Sequence, residues 1–343
     1  MNPSHLMILA LVVLFSTGCV GGQGVRKPMR MNPGDTIAFV APARSQSTDR
    51  IEGGAAGLKT KGYEILYQPN LETQYRGFLN APDEERARLI NVAFANPEVD
   101  AVFPVAGGYT SARILDFLDY DLIRKNPKPV IGYSDITALH LGLYAKAGIV
   151  SFHSPFPTYF YVGEGDKSFA IDHFWAVLES PESAYPMTLP LRPASVPVET
   201  FVPGKARGKL VGGNLSLIHA LHGTPYGIPE NGKGHLLFLE EIGEEPYRVD
   251  RMLWQLQHAG ILDNVEGVII GRFHKCETDD PTRSHTLRQV FEDHFKNRPY
   301  PVVLDFPVGH VTDNLSLPIG VMAELDADKG TVTLLESPVA ERR

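Results

Sequence analysis

Cysteine is scarce in this chain, since the 343 residues contain only Cys19 and Cys276. Cys19 follows an apolar stretch that resembles a bacterial lipoprotein signal, in which such a cysteine is lipidated and becomes the first residue of the mature chain. Cys276 would then lack a cysteine partner, which excludes an intramolecular disulfide framework in the mature chain. The stability of the mature chain must therefore come from packing. The cysteine count does not decide in which cellular compartment the protein is found.

The apolar N-terminal run is also short. Met7–Phe15 reads MILALVVLF, which is too short to span a bilayer as a helix. It matches the apolar core of a secretory signal, followed by the small residues Ser16 to Gly18. We therefore expect an exported, periplasmic or cell-envelope protein, with membrane anchoring through a lipid on Cys19. The alternatives are plain cleavage of the signal and, if the leader is not functional, a cytoplasmic protein.

The chain has no excess of basic residues. It has 40 acidic and 32 basic side chains, a net charge of -8 and no run rich in Lys or Arg, so we expect no nucleic-acid binding. Neither Gly107–Thr110 (GGYT) nor Val211–Asn214 (VGGN) continues as a phosphate-binding loop, so nucleotide binding has no support. We expect no cofactor and no metal site, because His219 and His222 lack further ligands.

The length of the chain and the changes of pattern along it predict two domains. A chain of 343 residues exceeds the roughly 250–300 residues over which one hydrophobic core usually grows. We divide it into a signal segment (1–19), a Gly-rich tether (20–31), an α/β domain (32–184), a Pro-rich linker or crossing strand (185–205) and a β-rich domain (206–340).

Short apolar strands alternate with amphipathic helices in the first domain. Examples of these strands are TIAFVAPAR (36–44), VDAVFPV (99–105) and KPVIGYS (128–134). The spacing implies crossover connections, and thus a doubly wound α/β domain with a mostly parallel sheet. Strands outnumber helices in the second region, which includes GKLVGGN (208–214) and HLLFLEE (235–241). We therefore expect a β-rich second domain.

Ser134 lies at a strand-to-helix corner, VIGYSDITALH (130–140). A serine in this position alone is most often a helix N-cap. The corner also has the parts of a nucleophile elbow, namely an apolar strand, Gly132 for a tight approach and a following helix. Ile136 replaces the second glycine of the G-x-S-x-G pattern, so the corner by itself does not support an α/β-hydrolase assignment.

Ordered motifs along nearly the whole mature chain resemble those of the L,D-carboxypeptidases. This serine peptidase family includes muramoyltetrapeptide carboxypeptidase and the microcin self-immunity peptidases. The motifs are GDTIAFVAPAR, AGGYTSARIL, IGYSDITALH, LVGGNLSLI, LFLEEIGEEPYRVDRML, GVIIGRF and FPVGH. The resemblance implies a catalytic serine, glutamate and histidine at Ser134, Glu240 and His310. It also implies a homodimer.

These three residue types suit peptide hydrolysis through an acyl-enzyme. A serine hydroxyl needs a base to remove its proton, and the pKa of histidine lies near working pH. A carboxylate orients the imidazole and stabilises the imidazolium. Because Ser134 lies in the first domain, and Glu240 and His310 lie in the second, we expect the active site at the domain interface, a common position for clefts.

Several glutamates compete for the role of the acid. Side chains alternate along a strand, so Glu240 and Glu241 cannot both face the cleft. Glu244 and Glu245 precede Pro246 and suit the first turn of the following helix. Alternation and the family motif together favour Glu240.

The tetrahedral intermediate also needs backbone N–H donors for its oxyanion. The N–H of Asp135, at the start of a helix, is one candidate. Gly107 or Gly108 is the other, because glycine lets the backbone approach a substrate closely. Tyr109, in the same turn, and Asn214 are weaker candidates for substrate contacts.

Three functions fit these observations. The resemblance implies a cofactor-independent serine peptidase that releases terminal D-alanine from meso-diaminopimelate in peptidoglycan tetrapeptides. The first alternative is a self-immunity peptidase that cleaves an amide in a peptide-nucleotide antibiotic, which suits an intracellular enzyme better than an exported one. The second is a non-catalytic lipoprotein that binds wall peptides, and the intact Ser, Glu and His set argues against it.

Overall fold

The computed structural model of the chain describes residues 24–161 and 165–342. The expected signal segment, 1–19, and its candidate lipidation site Cys19 lie outside the described residues, as do residues 20–23. No helix in the described ranges combines the length and the apolar character needed to cross a membrane.

The described part of the expected tether packs on the folded body. Met31 is buried, and the backbones of Arg26 and Met29 form single β-bridges to Ile149 and Ala340. These residues therefore belong to the fold and do not form a free tether.

The regular elements of the described residues are as follows. The strands are Thr36–Val40 (β1), Glu64–Tyr67 (β2), Ala101–Pro104 (β3), Ile131–Gly132 (β4), Ser151–His153 (β5), Met187–Leu189 (β6), Glu199–Val202 (β7), Lys205–Asn214 (β8), His235–Ile242 (β9), Gly267–His274 (β10), Val302–Leu304 (β11), Leu317–Ile319 (β12), Met322–Asp326 (β13) and Thr331–Leu334 (β14). The α-helices are Thr48–Lys59 (α1), Asp83–Ala95 (α2), Tyr120–Lys125 (α3), Thr137–Gly142 (α4), Ser168–Glu179 (α5), Leu215–Leu221 (α6), Pro246–His258 (α7), Ile261–Asn264 (α8) and Leu287–Phe295 (α9).

The first domain is built on a mostly parallel sheet, as the sequence predicts. The strand order is β2-β1-β3-β4-β5-β12, in which β3 and β4 meet through one bridge between Val102 and Val130. The first five strands in this order run parallel, and β12 is antiparallel to β5. β1 and β3 are almost fully buried, as expected for a sheet that is covered on both faces. The turns after β1, β3 and β4 therefore meet at one edge of the sheet.

The second domain contains a mixed sheet of order β6-β14-β13-β8-β9-β10-β11-β7. β8 to β11 run parallel and form its centre. Antiparallel strands complete both sides of this centre. α6 to α9 connect the parallel strands, so this domain is also layered α/β, with the strand-rich character that the sequence predicts.

Residues 185–205 differ from a simple linker. They supply β6 to one edge of the second sheet and β7 to the opposite edge. The segment thus crosses from one side of the sheet to the other. Its many prolines suit edge positions, where a missing N–H does not interrupt a ladder.

Among the contacts between the domains are those of β12 and α4. β12 follows the loop that carries His310 and extends the first sheet, where Leu317 pairs with His153. α4 packs against the end of β8, where the Asn214 N–H donates to Thr137 Oγ1 at 3.0 Å. Gly213 makes this approach possible, because a β-carbon there would lie 2.7 Å from Thr137 Cγ2.

We expect Gly213→Ala to lower the free energy of unfolding by about 2–4 kcal/mol, because the added methyl group collides with Thr137. Gly223→Ala is the matched control. Its φ is +82°, and nothing lies within 4 Å of the added carbon, so only a backbone cost of about 1 kcal/mol is expected. Urea unfolding of the three proteins measures both losses. Equal losses in the two variants would show that the contact between α4 and β8 tolerates a methyl group.

Candidate active site

Ser134 begins a 3₁₀ turn, Ser134–Ile136, between β4 and α4. Its φ is +61°, in the left-handed region that costs a non-glycine residue roughly 1–2 kcal/mol. Such strain is found at residues that a turn presents for chemistry. The serine side chain caps neither the 3₁₀ turn nor α4, so the structure does not use Ser134 as a helix cap.

A buried histidine holds the strand that precedes Ser134. His140 Nε2 lies 2.8 Å from the Gly132 carbonyl oxygen, and its Nδ1 lies 3.0 Å from Ser151 Oγ. Burial lowers the pKa of His140 to about 4, so the imidazole is neutral at pH 7. Nε2–H can then donate to the carbonyl while Nδ1 accepts from the serine hydroxyl. The corner is thereby fixed to β5.

Asp135 joins this corner to the AGGYT turn. Its Oδ2 accepts hydrogen bonds from the Thr110 N–H at 3.1 Å, the Ser111 N–H at 2.9 Å and the Ser111 hydroxyl at 2.7 Å. Burial raises the pKa of the Asp135 carboxyl, whereas these donors favour its charged form. The sequence around Asp135 indicates only a backbone role, because no local pattern indicates a partner in a distant turn.

These hydrogen bonds bring the two glycines of AGGYT close to Ser134. A β-carbon on Gly107 would lie 3.3 Å from Ser134 Oγ, and one on Gly108 would lie 2.9 Å from Ala43 Cβ. Close approach of the backbone therefore depends on both glycines. The backbones of Gly107, Gly108 and Asp135 are gathered near Ser134, and their role as oxyanion donors stays a prediction.

Glu240 and His310 form a hydrogen-bonded pair. His310 Nδ1 lies 2.7 Å from Glu240 Oε2. The Glu240 side chain is fully buried, whereas the His310 side chain is 14% exposed. Gly309 permits the contact, because a β-carbon there would lie 2.9 Å from Glu240 Cβ. A neutral imidazole that donates from Nδ1 keeps a lone pair on Nε2 and can accept a proton there.

Two of the competing glutamates, Glu241 and Glu244, have other partners. Glu241 accepts hydrogen bonds from the Asn214 side chain at 2.8 Å and from the Ser216 N–H at 2.8 Å, and so holds the start of α6. Asn214 is buried and also caps α6, so it supports the start of this helix, and its contact with substrate stays a prediction. Glu244 pairs with Arg248 at 3.5 Å on α7.

Ser134 and His310 line the same cavity, which has a volume of about 430 Å³. Tyr109 also lines it, is 65% exposed and packs its ring 4.6 Å from that of Phe78, so it is accessible to a ligand. No hydrogen bond joins Ser134 Oγ to the imidazole within the described residues. Catalytic hydrogen bonds often tighten only when substrate binds.

A larger cavity of about 1010 Å³ adjoins the first. Arg50, Tyr133, Thr158 and His310 line both cavities. The Tyr133 ring packs edge-on against the imidazole, with ring centroids 4.9 Å apart. His310 therefore lies at the junction of the two cavities, with Tyr133 behind it.

Arg44 and Arg50 also line the smaller cavity, although no sequence motif predicts a role for them. Arg44 follows the carboxyl end of β1, and Arg50 lies in the first turn of α1. The rule that ligands bind at the carboxyl ends of parallel strands points to Arg44. The sequence pattern alone does not show which polar residue of such a loop faces the cleft.

Comparisons with known proteins follow the same division into two domains. A family model described as the LD-carboxypeptidase N-terminal domain matches residues 37–154, and the LD-carboxypeptidase C-terminal domain matches residues 207–325. A probable murein peptide carboxypeptidase of Bacillus subtilis is 35% identical over 315 residues, which cover 92% of this chain and 96% of that protein.

Solved structures give a consistent result. The structure of MccF in complex with glutamyl sulfamoyl guanosine has a TM-score of 0.83 at 26% identity and covers 92% of this chain and 99% of that one. The muramoyltetrapeptide carboxypeptidase from Oxalobacter formigenes has a TM-score of 0.75 at 30% identity and covers 87% of this chain and 97% of that one. The predicted α/β architecture and the family resemblance are both confirmed.

We expect Ser134→Gly to be more stable to unfolding than Ser134→Ala by about 1 kcal/mol, because glycine adopts a φ of +61° without a steric penalty. Both variants remove the hydroxyl, so the difference between their free energies of unfolding reports the strain of the backbone at this position. Urea unfolding of the two proteins measures it. If the alanine variant is as stable as the glycine variant, the turn stores no backbone strain.

Proposed function

The chain belongs to the LD-carboxypeptidase family, and on that basis we propose that it is a serine-type L,D-carboxypeptidase that releases terminal D-alanine from peptidoglycan tetrapeptides. The names of relatives support the substrate class, since they include a probable murein peptide carboxypeptidase and a muramoyltetrapeptide carboxypeptidase. The site supports the reaction type.

In the proposed reaction, Ser134 Oγ attacks the carbonyl carbon of the last peptide bond and His310 Nε2 takes its proton. The N–H groups near Ser134 stabilise the oxyanion. His310 then donates the proton to the leaving amine, which leaves an acyl-enzyme on Ser134. Water, activated by the same imidazole, hydrolyses this ester. Glu240 holds the ring in the required tautomer and stabilises the imidazolium.

The 2.7 Å contact between Glu240 and His310 is the observation that carries this proposal. It orients an imidazole at the edge of a cavity that Ser134 also lines. A protein that only binds wall peptides has no need of a buried carboxylate behind a histidine beside a strained serine.

A second candidate function follows from the structural similarity to MccF, which has been solved with glutamyl sulfamoyl guanosine bound. The larger cavity, at about 1010 Å³, has room for a group the size of a nucleoside. The chain would then cleave an amide that joins an amino acid or peptide to a nucleotide-like group. The same serine, histidine and glutamate would perform the chemistry.

We expect the full-length chain, solubilised in detergent, to release one alanine from purified disaccharide tetrapeptide, as followed by mass spectrometry. Ser134→Ala removes the nucleophile and should lower kcat at least about 10³-fold. Glu240→Gln should lower kcat by about 10²- to 10⁴-fold, because an amide no longer selects the required tautomer of His310.

Glu266→Gln is the matched control, because Glu266 is exposed beside the amino end of β10, away from both cavities. This variant should keep full activity. Parallel incubation with glutamyl sulfamoyl guanosine separates the two candidate functions. Release of glutamate without release of alanine would favour the second. If the folded protein acts on neither compound, both proposed reactions are contradicted, and peptide binding without catalysis is the remaining function.

We also propose export and lipid anchoring at Cys19, supported by the sequence pattern alone. We expect the protein in the membrane fraction of a bacterial host and Cys19→Ala in the soluble fraction, as measured by fractionation and immunoblotting. Cys276→Ala, at a buried cysteine of the second domain, should stay with the membrane. An unprocessed, unlipidated N-terminus in the mass spectrum of the parent would contradict the proposal.

A further inference from the structure

The smaller cavity has an unbalanced charge. Arg44 and Arg50 line it, and no Asp or Glu is among the described residues that do so. This contrasts with the net charge of -8 for the chain. Neither arginine has an ion-pair partner in the part of the chain that the structure describes. The cavity beside Ser134 therefore favours an anionic group.

Arg44 is attached to a well-supported segment of backbone. The buried Arg86 donates hydrogen bonds to the Pro42 carbonyl oxygen and, at 3.1 Å, to Thr110 Oγ1. The backbone of Arg44 itself forms a β-bridge with Leu79. These contacts hold the loop after β1 against the AGGYT turn. The Arg44 side chain thus extends to the cavity from an ordered segment of backbone, which lowers the ordering cost of binding an anion.

The larger cavity has a different charge pattern. Both signs of charge line it: the acidic residues are Glu199, Glu277, Asp305 and Asp313, and the basic residues are Arg50, Lys167, Arg272, Lys275 and Arg288. Two of its arginines are already paired, Arg272 with Asp305 at 2.8 Å and Arg288 with Glu199 at 2.7 Å. A free carboxylate is therefore better accommodated in the smaller cavity. The rest of a long substrate has more space in the larger one.

We propose that Arg44 binds the free α-carboxylate of the residue that leaves, with Arg50 assisting at the junction of the two cavities. The inference rests on the proposed peptidase function and adds to it a reason for attack on the last peptide bond. An arginine can form two parallel hydrogen bonds with a carboxylate. A residue inside a chain has no carboxylate at that position, so the cavity selects a free C-terminus.

The position of His310 agrees with this division of the substrate. Its side chain lines both cavities, and it therefore lies between the two parts of a bound peptide. The general acid must reach the nitrogen that joins the leaving residue to the acyl part. A leaving residue in the smaller cavity and an acyl part in the larger one place that nitrogen near the imidazole.

Binding to a protein that cannot turn over its ligand tests the assignment. The full-length Ser134→Ala protein is titrated calorimetrically with a tetrapeptide that ends in D-alanine, either as the free acid or as the carboxamide. We expect the free acid to bind about 10- to 100-fold more tightly, the range for a charge-assisted hydrogen bond. Addition of Arg44→Gln should reduce the affinity for the free acid to that for the carboxamide.

Arg88→Gln in the same background is the matched control. Arg88 is an exposed arginine of α2 that pairs with Glu85 at 2.6 Å, outside both cavities. It should leave the preference for the free acid unchanged. Equal binding of the two peptides by Ser134→Ala, a preference that survives Arg44→Gln, or no binding of either peptide would each overturn the assignment.

Failure of the proposed function has a different signature. If the protein binds the free acid through Arg44 but never releases alanine, the anion site is supported and the proposed peptidase function is contradicted. If the protein releases the terminal residue from the acid and from the carboxamide at equal rates, the proposed peptidase function is supported. The proposed role of Arg44 is then overturned.

Discussion

The packing of α4 against the end of β8 is the contact on which the proposed site depends. Ser134 lies one turn before Thr137 of α4, which accepts the Asn214 N–H. Asn214 pairs in register with Glu240 on the next strand. This close approach between the domains therefore helps to set the distance between the proposed nucleophile and its base. Gly213 permits that approach, since a side chain there would force the two domains apart.

Asp135, Glu240 and Glu241 are buried carboxylates of the proposed catalytic motifs, and their different partners separate their roles. Asp135 accepts three hydrogen bonds from Thr110 and Ser111. Glu241 accepts hydrogen bonds from the start of α6 and from its own strand. Such fixed donors offset the cost of burying a charge, and each of these two carboxylates links separate segments of the chain. Glu240 instead has the imidazole of His310 as its hydrogen-bond partner in the described structure, which is the environment of a group that orients a base.

The local sequence pattern predicts those features of the fold that depend on a single strand or helix. Alternating strands and helices predict the parallel sheet of the first domain, because each crossover needs a helix. Period-two alternation along β9 predicts that Glu240 and Glu241 face opposite sides, as they do. The segment 185–205 shows the limit of such patterns. Its prolines indicate extended structure, but its pairing with two distant sheet edges depends on strands formed elsewhere in the chain.

The sequence by itself determined the order of the elements, the family and the three residues proposed for catalysis, because each is encoded by a short contiguous motif. Only the tertiary structure decided what surrounds those residues. It placed Asn214 at the start of α6, connected Asp135 to the AGGYT turn and brought Arg44 to the cavity that Ser134 lines. These contacts join residues far apart in the chain, and the choice among polar partners is made by burial and proximity, which a linear pattern does not contain.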